Sequence, residues 1–165
     1  MKKAIVLLLT MCAGAFAQSD TVVRWRGMEG IITAPGTDNP VGQIHGGAGP
    51  WTAKDGSARV NLVSGEGSFE VEGLVMNGGP NTGTPGGVAS VVGTLVCNPG
   101  NAGGAPETAL DTPATPLSSE GNADLSFFKL TVPVVCNKPV FLIRVASGKW
   151  IATGTKPAAG TNTSY

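Results

Sequence analysis

The sequence has few of the side chains that carry chemistry. His45 is the only histidine in 165 residues, and only 13% of the residues are charged. A transition-metal site needs several His, Cys or carboxylate ligands placed together, so one histidine cannot build one. No G-x-S-x-G accompanies His45 to suggest a nucleophile and base. There is no G-x-x-x-x-G-K-[ST] and no G-x-G-x-x-G leading from a strand into a helix, so the glycine-rich stretches Gly78 to Gly87 and Gly65-Glu66-Gly67 read as turns. There is no Lys/Arg cluster, which argues against nucleic acid and anionic membrane surfaces as partners. Sustained helical periodicity is also missing. The best helical candidate, near Thr108 to Leu110, is too short to nucleate alone.

What the chain does have begins at its N-terminus. Lys2 and Lys3 precede an apolar run from Ala4 to Leu9, and Ala15-Phe16-Ala17 follows. This is the basic region, short apolar region and A-x-A site of a cleavable secretory signal, of a compact bacterial kind. The run falls well short of the ~20 apolar residues of a membrane span. Cys12 offers a competing reading as a lipid anchor, but Met11 before it is not the small residue such a signal needs. Removing residues 1–17 takes two lysines away, leaving nine Lys/Arg against eleven Asp/Glu, a formal charge of −2. No transmembrane segment is expected in the mature chain, which should lie in the periplasm or outside the cell.

Glycine (25) and proline (12) are abundant, yet Val, Leu, Ile and Phe recur in short runs. Many turn-formers between short apolar segments imply an all-β fold: one antiparallel β-sandwich of about eight strands over residues 18–155, with a polar tail at 156–165. The expected strands are Thr21 to Arg26 (extending toward Ile31-Ile32), Val41 to His45, Ser57 to Val63, Gly67 to Met76, Val88 to Cys97, Thr115 to Ser118, Asn122 to Val132, Val140 to Val145 and Lys149 to Thr153. Val88 to Cys97 is near-continuously apolar and reads as central. Ser64-Gly65-Glu66 and Ala146-Ser147-Gly148 read as hairpin turns. In Asn122 to Val132, strict alternation groups Leu125 with Phe127 and Asp124 with Phe128.

The two mature cysteines, Cys97 and Cys136, read as one disulfide in an exported chain, because no C-x-x-C suggests redox work. Closing that loop is worth about 4 kcal/mol on chain-entropy grounds.

The site candidates are few. His45 is expected at a strand end entering a loop, with general-base chemistry the rival reading. Glu70 and Glu72 share one strand face, ~7 Å apart, a spacing that superficially suits glycoside hydrolysis; a solvated face is the plainer reading. Glu66 adds charge nearby. Asp38, Asn39 and Asp55 lie in loops without a calcium-loop pattern. Trp25, Trp51 and Trp150 can be core residues or, if exposed, can stack on a sugar. Trp51, in Gly49-Pro50-Trp51, is the ligand-binding candidate together with His45. No catalytic residue, metal ligand or cofactor is assigned.

Gly73-Leu74-Val75, Gly79-Pro80-Asn81-Thr82-Gly83-Thr84 and Val92-Gly93-Thr94-Leu95-Val96-Cys97 carry a likeness, as do Pro133, Cys136, Pro139, Phe141-Leu142-Ile143-Arg144 and Trp150-Ile151-Ala152. Together they resemble a group of small, uncharacterised exported bacterial β-rich proteins with one cysteine pair. The resemblance implies export and fold, and brings no activity with it. The leading expectation is an exported, non-enzymatic binding or structural β-sandwich of unknown specific role and unknown partner, a glycan or an envelope protein being the candidates. The alternatives are a carbohydrate-binding module using Trp51 and the Asn77–Gly87 loop, a secreted hydrolase, and a surface-assembly subunit pairing through the Thr21–Arg26 edge. Mass spectrometry of the mature protein should find Gln18 as its first residue; an acylated Cys12 would contradict release.

Overall fold

A computed structural model describes residues 21–33, 37–47 and 49–156. The expected signal peptide, Cys12 within it, and the tail beyond Lys156 lie outside the described residues. The chain forms two antiparallel sheets packed together, a sandwich-like all-β fold. Among the described residues twelve short strands run in order: β1 Val22–Trp25, β2 Met28–Gly30, β3 Trp51–Thr52, β4 Asp55–Asn61, β5 Glu66–Glu72, β6 Val75–Met76, β7 Ser90–Cys97, β8 Thr108–Asp111, β9 Thr115–Pro116, β10 Ala123–Lys129, β11 Val140–Val145 and β12 Trp150–Gly154. One sheet has the order β1-β4-β5-β10. The other has β2-β12-β11-β7-β8, with β9 also on β7, and β3 pairs with β6 as a separate ribbon. No helix among the described residues is long and apolar enough to cross a membrane.

The two sheets meet through aromatic rings. Trp25, Phe69 and Phe128 come from the four-stranded sheet, and Phe141 comes from the other. The Phe141 ring lies 5.6 Å from Trp25, 5.7 Å from Phe69 and 6.3 Å from Phe128. These are the separations at which rings attract beyond simple area burial. Gly93, opposite Ile143 in the β7–β11 ladder, makes room for them. A Cβ there would sit 2.7 Å from the Phe141 ring and 2.9 Å from the Phe69 ring.

At one end of β7 the chain is tied down twice. Cys97 and Cys136 are joined, with Cα atoms 4.6 Å apart. The next residue, Asn98, is buried with φ +56°. Its amide donates to the carbonyls of Pro106 (2.9 Å) and Val135 (3.0 Å), and its side-chain oxygen accepts from Asn137 N–H (2.7 Å). A buried amide is stable only when satisfied in this way.

Both expected hairpins form. The β4–β5 turn closes on Asn61, whose side-chain oxygen accepts the Val63 and Ser64 amides at 2.9 and 3.1 Å, with Gly65 at φ +74°. The β11–β12 turn uses Gly148 at φ +86°. Val88 to Cys97 does supply the central strand, as β7, and β9 falls within Thr115 to Ser118.

Several expectations need correction. The N-terminal strand does continue past Arg26, but it changes sheets at Gly27 to form β2. Val41 to His45 is not a strand; Val41 and Ile44 form an isolated bridge across a tight turn at Gly42, φ +59°. Gly67 to Met76 is not one strand, because Gly73 at φ +60° ends β5 and sends Val75–Met76 to pair with β3. The helical candidate at Thr108 to Leu110 is strand β8, held by β7. In β10 the register slips between Leu125 and Phe128. That bulge adds one residue, so Phe128 turns inward while Ser126 and Phe127 both stay exposed. Strict alternation groups Leu125 with Phe127 and Asp124 with Phe128; the bulge breaks that grouping and puts Phe128 on the side of Leu125.

The ring packing predicts coupled energetics. Phe141→Ala should cost about 3–5 kcal/mol in denaturant unfolding, and Gly93→Val about 1–3 kcal/mol by overpacking. Their double mutant should lose less than the sum, because the removed ring vacates the space that the new methyls enter. Strict additivity would mean that Gly93 does not accommodate the ring.

Candidate ligand-binding face

Side chains alternate along a strand, so the core residues dictate what the outside carries. On β1, β4 and β5, Trp25, Ala58 and Phe69 are buried. Arg24, Arg59, Ser57, Ser68 and Glu70 must therefore point away from the core. The pairing then sets neighbours. Arg24 lies directly opposite Arg59, and Arg59 opposite Ser68. One row along, Ser57 lies opposite Glu70, and Glu70 opposite Asp124.

These residues line an open depression of about 400 Å³ on the outer face of the four-stranded sheet, which Arg26 and Ser126 also border. A second hollow of about 260 Å³ continues it, sharing Arg24, Arg59 and Ser126 and reaching Asn61, Glu66 and Phe127. Phe127 is 62% exposed. The β10 bulge is what aims it there, a use to which edge-strand bulges are often put.

The face is polarised. Two guanidiniums oppose each other on the β1–β4 side, and two carboxylates oppose each other on the β5–β10 side. Like charges directly opposite across strands are unfavourable. The opposite signs do not neutralise one another: among the described residues the ion pairs are Asp38–His45 and Arg144–Asp111. Instead Arg59 Nε donates to Ser68 Oγ at 2.9 Å, and Ser57 Oγ donates to Glu70 Oε1 at 2.9 Å. The remaining hydrogen-bonding capacity of these four charged groups faces solvent, with the exposed Arg26 at the rim beside them.

The sequence-derived candidates lie elsewhere or behave differently. Trp51 is 6% exposed and opens β3, with its N–H bonded to the Ile31 carbonyl at 2.8 Å. Burial removes it as a sugar-stacking surface. The Asn77–Gly87 loop does lie beside it, through Asn77 N–H to the Pro50 carbonyl at 2.8 Å. Trp25 and Trp150 are also buried, and Trp150 Nε1 donates to the Asn39 carbonyl at 2.8 Å. Glu70 and Glu72 are both exposed on the outer face, yet the acid opposite Glu70 is Asp124. The groups around that pair are serine and arginine. A general acid of that class instead sits against apolar surface. Asp55 lies opposite Glu72. Among the described residues no group of three or more His, Cys, Asp or Glu side chains is placed to hold a metal.

His45 is exposed in the loop beside β12. Its Nδ1 bonds to Asp38 Oδ2, while Asp38 Oδ1 accepts the Gly46 N–H at 3.2 Å. Asp38 is the one side chain hydrogen-bonded to His45 among the described residues. The pair clamps the 37–47 loop, and no sequence pattern pointed to it. The His45 hydrogen bond, chiefly, holds the Asp38 carboxyl below the usual carboxylate range; the Gly46 amide and the charges of His45 and Lys149 add to this, and desolvation opposes it. A depressed folded-state pKa means that this clamp stabilises above the ordinary carboxylate range and is lost as pH falls through the lowered value. An NMR titration should place the Asp38 midpoint below that of an unperturbed aspartate, and His45→Ala should raise it. A midpoint unmoved by His45→Ala would show that the hydrogen bond does not hold the carboxyl.

No protein-family model, curated protein or solved structure matches the chain, so the meaning of its outer face has to come from that face's own chemistry.

Proposed function

We propose that this is an exported, non-catalytic binding protein that captures a small polar ligand on the outer face of its four-stranded sheet. The observation that carries the reading is the pair of like-charged oppositions, Arg24–Arg59 and Glu70–Asp124, side by side in one open depression. Such oppositions do not favour the folded state, whereas guanidiniums and carboxylates with free hydrogen-bonding capacity are good recognition groups. Export is supported by the signal-like N-terminus, and the Cys97–Cys136 bond is compatible with an oxidising compartment.

A second reading, a carbohydrate-binding module, draws on a different residue from the one the sequence suggested. Phe127 is an exposed ring beside hydroxyl and carboxylate groups, which is how a sugar face is held.

A thermal-shift screen of peptides, amino acids and oligosaccharides tests the proposal. A ligand at a hundred times its Kd adds about 2.7 kcal/mol to stability, a readily visible rise in Tm. The rise should be clearly smaller in the Arg24→Ala/Arg59→Ala double variant. Hits that shift the variant as much as the parent would move the site elsewhere. Robust hydrolysis of a screened compound, lost in Glu70→Gln, would overturn the non-catalytic reading.

A further inference from the structure

The face separates its charges by strand. Arginines stand on β1 and β4, acids on β5 and β10, and the hydroxyls of Ser57 and Ser68 lie on the two strands between. A purely anionic ligand would satisfy Arg24 and Arg59 and leave Glu70 facing Asp124. A purely cationic one would do the reverse. A neutral glycan would relieve neither opposition. Only a ligand bearing both signs relieves both.

The spacing limits its length. Neighbouring strands lie about 4.8 Å apart, and alternate residues on one face about 6.8 Å. The centre of the arginine pair is two strands across and two residues along from the centre of the acid pair, about 12 Å on the diagonal. An extended peptide covers about 3.3–3.6 Å per residue, so three or four residues span that distance. A depression of about 400 Å³ has room for a chain of that size.

We infer that the ligand is a short zwitterionic peptide with both ends free, its terminal carboxylate held by Arg24 and Arg59 and its ammonium held by Glu70 and Asp124. This rests on the binding reading above and names its ligand class. The serine hydroxyls are placed to meet the peptide backbone in between. Phe127, at the end of the second hollow, offers an apolar wall for a side chain of the ligand.

Isothermal titration at low salt tests it, using tetra-alanine with free ends, its N-acetyl and C-amide forms, and a tetragalacturonate. Free-ended tetra-alanine should bind, and either cap should weaken it by about tenfold or more. In Arg24→Ala/Arg59→Ala the amide cap should no longer matter while the acetyl cap still does. In Glu70→Gln/Asp124→Asn the pattern should reverse. Capped and free peptides binding equally, or no peptide binding at all, would overturn the inference. Binding of tetragalacturonate alone, lost in the arginine double variant, would overturn the peptide assignment and leave the binding face standing. Peptide binding unchanged in both double variants would remove both.

Discussion

Phe141 reaches from one sheet into a cage of Trp25, Phe69 and Phe128 on the other, above a β7 position where only glycine fits. This contact sets more than the stability of the core. Side chains alternate with period two, so whichever residues turn inward to meet Phe141 fix the identity of every outward residue on the same strands. Trp25 inward means Arg24 outward. Phe69 inward means Ser68 and Glu70 outward. The charged face is thus the reverse side of the aromatic core, and a one-residue slip would exchange the two.

The β10 strand shows how strictly that holds. Simple alternation cannot put both Leu125 and Phe128 inward, and the sheet resolves the conflict with a bulge. Phe128 reaches the cage, and the extra residue leaves Phe127 in solvent beside the arginines. One local irregularity therefore completes the core and furnishes the face with its exposed ring. The far end of β7, in the other sheet, is secured by the Cys97–Cys136 bond and the buried Asn98 amide.

Much of this was legible from residue order. Short apolar runs between glycines and prolines implied a sandwich, the two hairpin turns carried their own signals, and an isolated cysteine pair implied its bond. What was not legible depended on partners far away in sequence. Gly73 looked like one more strand residue until its positive φ broke the strand. Thr108 to Leu110 became a strand because β7 offered a free side, which overrides weak local preference. Trp51 looked loop-borne, open to either a core or a stacking role, and its burial followed only from opening β3 opposite Met76. The face itself was half visible: Glu70 was noted, while Arg24, Arg59 and Asp124 became neighbours only once four strands were ordered.

The proposed role requires that the charges on this face serve recognition and do not hold the fold together. It can be tested without any ligand. Arg24→Gln and Asp124→Asn each remove a charge from an unfavourable opposition while keeping side-chain size. Equilibrium unfolding in denaturant should show each variant as stable as the parent, within about 0.5 kcal/mol, or more stable. A loss greater than about 1 kcal/mol in either variant would show that these residues are structural and would contradict the account.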